Sequence, residues 1–196
     1  MTRPTGPYAW LNAEPGPRML LEALKLFGTA EVQGPGNNPV ILGWADEIGG
    51  KAGATAYSKW AAKFYEDDSG IAWCGLMMAI CAVRANVDNR PDRAPPDKFL
   101  AAASWATFGV PVAITDAQLG DVLVFWRDGG GHVGLYVGED ADSFHVLGGN
   151  QGDAVTIRRI SKARCTSVRR PPYLNKPANV RPIRLAAAGT PSTNEA

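Results

Sequence analysis

The chain holds only two histidines, His132 and His145, beside three cysteines, Cys74, Cys81 and Cys165. The question is which of them could do nucleophilic chemistry together. A cysteine attacks as its thiolate and needs a base within reach to take the proton. Cys74 follows Trp73 where an acidic turn, Asp67-Asp68-Ser69-Gly70, passes into the apolar run "WCGLMMAICAVRAN". Its sulfur is expected in the first turn of a helix, where unpaired backbone N–H groups and the positive end of the helix dipole favour the thiolate. Cys81, two turns further on, falls where the N–H groups are already used and reads as core. Cys165 has Arg164, Arg169 and Arg170 around it but neither a helix start nor a histidine.

His132 follows "DGGG" at the head of an apolar strand, whereas His145 lies mid-strand between Phe144 and Val146 and reads as structural. A hairpin of 132–138 with 143–149 sets His132 opposite Gly149, or opposite Asn150 if the pair carries a one-residue bulge. From there Asn150 can hold the ring nitrogen that faces away from the cysteine and fix the tautomer, with Gly148 and Gly149 leaving room for a substrate backbone. Each feature has a plain counterpart: "GGN" is an ordinary turn sequence, and a free cysteine is ordinarily a small buried hydrophobe. The three residues gain weight from occurring together.

The elements that must position them change character along the chain. Residues 1–17 are rich in Pro and Gly and read as an extended lead-in. Helices are expected over 17–28, from Asn38-Pro39 to Gly49-Gly50, from 54 up to the acidic turn at 67–70, from Trp73 to Asn86 as the buried core helix, and briefly before Gly109. Short β-rich runs follow at 121–126, 132–138, 143–149 and 154–160, with "TSVRRP" as a possible fifth. Helices followed by an antiparallel meander predict an α+β domain over 18–173, and 174–196 reads as a flexible tail.

Composition bounds the rest. With 45% hydrophobic residues, 20% charged and a formal net charge of +1, the chain is an ordinary globular one. No run approaches the ~20 apolar residues of a membrane helix, so membrane insertion is not expected. The first residues lack a signal peptide's apolar stretch, and the cysteines lack zinc-site spacing. Charge is uneven: residues 158–196 carry 9 basic and 1 acidic residue, against 11 basic and 18 acidic before them. Within it "RRISKARCTSVRRP" reads as a solvent-facing basic strand pair or as a surface for an anionic polymer, and nucleic acid is not an expected partner.

The segments "WCGLMMAICAVRA", "LGDVLVFWRDGGGHVGLYVG" and "HVLGGNQGDAVTI" occur in that order. Together they resemble the CHAP superfamily of cysteine, histidine-dependent amidohydrolases/peptidases and the related NlpC-type cell-wall peptidases, in particular a phage-associated branch, over roughly residues 38–172. The resemblance implies a papain-like α+β fold with Cys74 as nucleophile, His132 as base and then acid, and Asn150 as the orienting residue. It also implies peptidoglycan as substrate, cut at the muramoyl-alanine amide or within the stem or cross-bridge peptide. Many CHAP domains carry an acidic residue just before the asparagine, where this chain has Gly148 and Gly149; the NlpC-type third histidine is absent too, so a Cys-His-Asn set is expected.

Trp73, Gly148, Gly149 and Gln151 are the expected substrate contacts, and Trp105 and Trp126 are further candidates for a glycan groove. Tyr65 and Gln151 are candidates for a second oxyanion donor beside the Cys74 N–H. No cofactor is expected. Some family members use calcium, for which Glu66-Asp67-Asp68 would be the place, though a solvated acidic turn is the plainer reading. Phage tail or virion proteins are possible partners, with delivery to the wall by lysis, virion or specialised secretion. Two other functions stay open: a structural or adaptor component of a phage-like particle, and a papain-like hydrolase or acyltransferase on a non-wall substrate.

Overall fold

A computed structural model describes residues 2–67, 70–127, 129–187, 189–193 and 195; Asp68 and Ser69 of the expected acidic turn, and Asp128 before the glycines, lie outside the described residues. Helices precede a six-stranded antiparallel sheet, an α+β arrangement. Local chemistry sets the helix starts. α1 (Arg18–Leu26) buries Met19, Leu20, Ala23 and Leu26. α2 (Pro39–Gly50) opens on Asn38, whose side chain accepts the N–H of Val40, and Pro39 suits a first turn because it has no N–H to leave unpaired. α3 (Ala56–Phe64) opens on Thr55, which accepts from the Ser58 N–H.

α4 (Cys74–Ala85) is the core helix, with Trp73 at its cap and every residue from Cys74 to Ala82 buried. Its first turn is pressed against the segment leading into a 3-10 turn at Ala102–Thr107. Gly75 makes this approach possible: a Cβ there would lie 2.6 Å from the Leu100 carbonyl oxygen and nearer still to that of Phe99. The start of α4 is therefore fixed against backbone, which cannot move aside as a flexible side chain can.

The strands are β1 (Val110–Val112), β2 (Val122–Arg127), β3 (Gly130–Glu139), β4 (Ser143–Gly148), β5 (Thr156–Ser161) and β6 (Cys165–Arg170). Their order is β1-β6-β2-β3-β4-β5. The expected meander holds from β2 to β5, but the final strand does not extend it: β6 returns to lie between β1 and β2. β1 is an element the sequence reading missed, three residues around Pro111, a proline that an edge strand tolerates. The β3–β4 hairpin pairs Leu135 with Leu147 and Tyr136 with Val146, then shifts so that Gly138 meets His145. This is the bulged alternative.

Val133, Leu135 and Val137 pack with α4 in the main core, while Leu123, Phe125, Tyr136, Phe144, Val146 and Ile160 form a second cluster. A sheet apolar on both faces needs cover on both, and the expectation of a flexible tail over 174–196 is corrected here. The Glu139 N–H donates to the Ile183 carbonyl and the Leu185 N–H to the Glu139 carbonyl, both at 2.9 Å. The Ile183 N–H also reaches Tyr136 Oη at 3.1 Å. The lead-in is packed as well: it forms a 3-10 turn at Gly6–Ala13 that buries Leu11, and Tyr8 Oη lies 2.7 Å from His145 Nδ1.

Gly75→Ala should therefore destabilise the fold by about 3 kcal/mol, the upper end for forcing a methyl into a packed site. Thermal unfolding of the two proteins followed by circular dichroism checks this, the expected fall in Tm being roughly 6–12 °C for a chain of this size.

Candidate active site

The site begins where the first turn of α4 meets the head of β3. Cys74 is only 4% exposed and His132 only 2%. The backbone N–H groups of Val133, Gly75 and Cys74 itself all bear on the sulfur, which places the thiol against the residue that follows His132. No hydrogen bond joins Cys74 to the His132 ring among the described residues. Cys74 also borders an open cleft of about 560 Å³, whose lining includes Leu100, Ala102, Trp126, Arg127 and Gly130.

The expected partner of His132 is corrected. Its Nε2 lies 3.1 Å from Oε1 of Gln151, and the side chain of Asn150 makes no hydrogen bond to the ring among the described residues. β4 ends at Gly148, and Asn150 sits in the left-handed region with φ 57°, a conformation asparagine tolerates better than most residues. The chain turns on Asn150, so the next residue, Gln151, folds its side chain back under the ring.

Three carbonyls fix how Gln151 sits. Its Nε2 donates to Val146 and Gly148 at 3.2 Å each and to Thr156 at 2.6 Å. An amide whose nitrogen is surrounded by carbonyl oxygens must present its own oxygen on the other side. His132 Nε2 therefore carries the hydrogen, and Nδ1 carries the lone pair. Gln151 is thereby removed as an oxyanion donor, because its donors are already used. Tyr65 is removed likewise, since its hydroxyl donates to the Ile71 carbonyl at 2.8 Å.

The two glycines serve packing. A Cβ on Gly148 would stand 3.1 Å from His132 Nε2, crowding the His132–Gln151 contact, and one on Gly149 would stand 2.7 Å from both Met77 and the Trp73 ring. Trp73 is fully buried, tilted against Trp44 with centroids 5.9 Å apart, and its Nε1 donates to Glu31 at 2.6 Å. The expectation that it touches substrate is therefore corrected. Trp105 is buried too, donating to the Phe99 carbonyl, whereas Trp126, at 59% exposure, is the tryptophan of these three that reaches the cleft.

Burial dominates the electrostatics. It pushes the Cys74 thiol up, against the three N–H groups and the charge of Arg127, so the advantage expected from the helix start is outweighed. It also pushes His132 down to about 4, opposed by the charge of Glu195 and the Gln151 hydrogen bond and assisted by Arg127 and Arg164. The resting pair is thus a neutral thiol beside a neutral imidazole. Cys81 and Cys165 are buried free thiols raised by burial, Cys165 to about 11. His145 is enclosed: Nε2 lies 2.9 Å from Asp140, which Arg159 holds at 2.7 Å, and Nδ1 meets Tyr8. Among the described residues no group of three or more His, Cys, Asp or Glu is placed to hold a metal, and no helix is long and apolar enough to cross a membrane.

Arg127 and Glu195 are charges at this site that the sequence reading did not pick out. Arg127 ends a strand and could have been flagged as a cation two residues before the glycines, but nothing local marks Glu195.

The buried imidazole makes stability depend on pH. Between 6.5 and about 4 the unfolded chain protonates His132 while the folded chain does not, so stability falls as pH falls through that window. The whole window corresponds to about 3 kcal/mol. Urea unfolding of wild type and His132→Gln at pH 7 and pH 4 checks this: the wild type should lose more by about that amount.

Comparison with models of known protein families, with curated proteins and with solved structures returns no match. What the site does has to be argued from its own residues.

Proposed function

We propose that the chain is a cysteine amidohydrolase or peptidase of papain-like fold that cleaves an amide bond in peptidoglycan, with Cys74 as nucleophile, His132 as base and then acid, and Gln151 as the orienting residue. The observation that carries this reading is the locked Gln151 amide, which leaves the lone pair on His132 Nδ1, in the residue next to Val133, whose backbone N–H bears on the Cys74 thiol. Nδ1 takes the thiol proton as the sulfur attacks the amide carbonyl carbon. The N–H groups at the start of α4, which no earlier carbonyl can pair, offer hydrogen bonds to the oxyanion. The imidazolium then gives its proton to the leaving amine, and water, deprotonated by the same ring, releases the thioester as a carboxylic acid and restores the thiol.

The substrate class rests on the three ordered motifs and on the cleft. Small alanine side chains and Leu100 line one side, Trp126 stands at the rim, and Arg127 supplies a positive charge. Such a surface suits short, alanine-rich peptides bearing carboxylates, with a flat ring available for a sugar face. A phage-derived or virion-associated enzyme is the setting that the motifs favour. The near-closed state of Cys74 and His132 favours a second reading, a particle component in which the hydrolase constellation is residual.

Digestion of purified peptidoglycan of several chemotypes, with mass spectrometry of the soluble fragments, tests the proposal. Wild type should release fragments that Cys74→Ala does not, and their new ends distinguish amidase from endopeptidase. Gln151→Leu, which leaves the ring N–H without its acceptor and the tautomer unfixed, should lower kcat by up to about 10,000-fold, the size of the loss when a catalytic histidine is left in the wrong tautomer. Asn150→Ala should change kcat far less. No cleavage by folded wild type would overturn the hydrolase reading in favour of the second.

A further inference from the structure

Residues 189–193 and Glu195 return to the site from late in the sequence. The Ser192 N–H donates to the Arg159 carbonyl at 2.7 Å, and the Ser192 carbonyl accepts from Arg164 Nη1 at 3.0 Å. Arg159 also reaches the Gly189 carbonyl. Glu195 is only 1% exposed, its carboxylate gripped by both Arg164 terminal nitrogens at 2.8 and 2.7 Å. Its carbonyl accepts from the N–H of Gly152, the residue after Gln151, at 3.3 Å. Glu195 is the single acidic residue after position 157, in a stretch with nine basic ones.

A buried carboxylate is costly unless it is paired, and Arg164 provides the pair. The pair does not cancel at His132, however. Gln151, from the turn after β4, and Phe125 of β2, which pairs with His132, touch the ring, and Cys74 at the start of α4 lies against the next residue, Val133. Arg164, from the turn before β6, reaches the Trp126 carbonyl beside Phe125 and holds Glu195, whose own carbonyl meets the residue after Gln151, so that Arg127, Arg164 and Glu195 are the charges acting on His132. Two of the three charges are positive and oppose an imidazolium; Glu195 alone favours it.

We infer that Glu195 is a positioning carboxylate of the Cys74–His132–Gln151 site, carried in by the C-terminal segment to stabilise the imidazolium that forms when His132 takes the Cys74 proton. This rests on the reading of Cys74 and His132 as nucleophile and base. Burial opposes ionisation of Glu195, but the Arg164 hydrogen bonds and the charges around it hold its pKa below the ordinary carboxylate range, so it is an anion at neutral pH.

The test is the pH dependence of Cys74 alkylation by iodoacetamide, located by peptide mass spectrometry, in wild type, Glu195→Gln and Glu195→Asp, beside kcat/KM on peptidoglycan. Glu195→Gln keeps the shape and removes the charge, so the thiolate and the imidazolium limbs should both move to lower pH, by on the order of one unit. Glu195→Asp, with its carboxylate drawn back by one methylene, should move them the same way by less, and it serves alone if Glu195→Gln does not fold. Unmoved limbs with lower amplitude would make Glu195 a structural ion pair, and unmoved limbs with faster alkylation would make the segment a cover. Either result overturns the inference. Alkylation needs no substrate, so a protein that cleaves no peptidoglycan can still show the shift.

Discussion

The side-chain amide of Gln151 has no choice of orientation. Carbonyls from Val146, Gly148 and Thr156 converge on its nitrogen, and these come from β4, its end and β5. The oxygen is left to face His132, and the ring must answer with a hydrogen at Nε2. The sheet thus sets a proton position through one neutral side chain. The identity of the nitrogen that can act as base follows from strand pairing several residues away, and the same pairing requires glycine at 148, where any side chain would press on the contact.

Burial makes this arrangement stringent. Water would solvate a charged thiolate or imidazolium for nothing, whereas a nearly enclosed site disfavours both. Each partial charge left nearby therefore matters more: the N–H groups of Val133, Gly75 and Cys74 at the sulfur, and Arg127, Arg164 and Glu195 around the ring. The close approach of α4 to the 99–107 segment, possible only with glycine at 75, holds the first of these sets in place.

The sequence was legible where local chemistry decides the outcome. Asn38-Pro39 marked the start of α2, the apolar run after Trp73 marked α4, and short β-branched or aromatic runs between Gly and Asp turns marked β2 to β5. The hairpin register was legible to within one residue, which was enough to bring the Gly-Gly-Asn-Gln turn near His132 but not to say which side chain completes the contact. That depended on a bulge between Tyr136 and Gly138 and a left-handed Asn150, neither of which has a periodic signature. Trp73 was misjudged because adjacency in sequence to a helix-start cysteine does not say which way the ring turns; here it turns inward onto Trp44. The lead-in and the C-terminal segment were misread for the opposite reason. Pro-rich, aperiodic composition does suggest disorder, yet both apolar faces of the sheet needed cover, with Leu11 of the lead-in joining the α4 side and Ile183 lying against the other, and that need is a property of distant strands.

The sheet's two edges are finished differently. β1 is three residues long and carries Pro111, which has no N–H to offer a neighbouring strand. β5 is longer and lacks such protection in its own sequence, but Ser192 bridges in parallel to Ile160 and occupies part of its open side. An uncovered edge is a template for pairing with a foreign strand, through to domain swapping and aggregation. The C-terminal segment thus has a colloidal consequence beside its structural one: with it in place the sheet ends, and with it displaced the same six strands would offer a seventh place to any extended chain nearby.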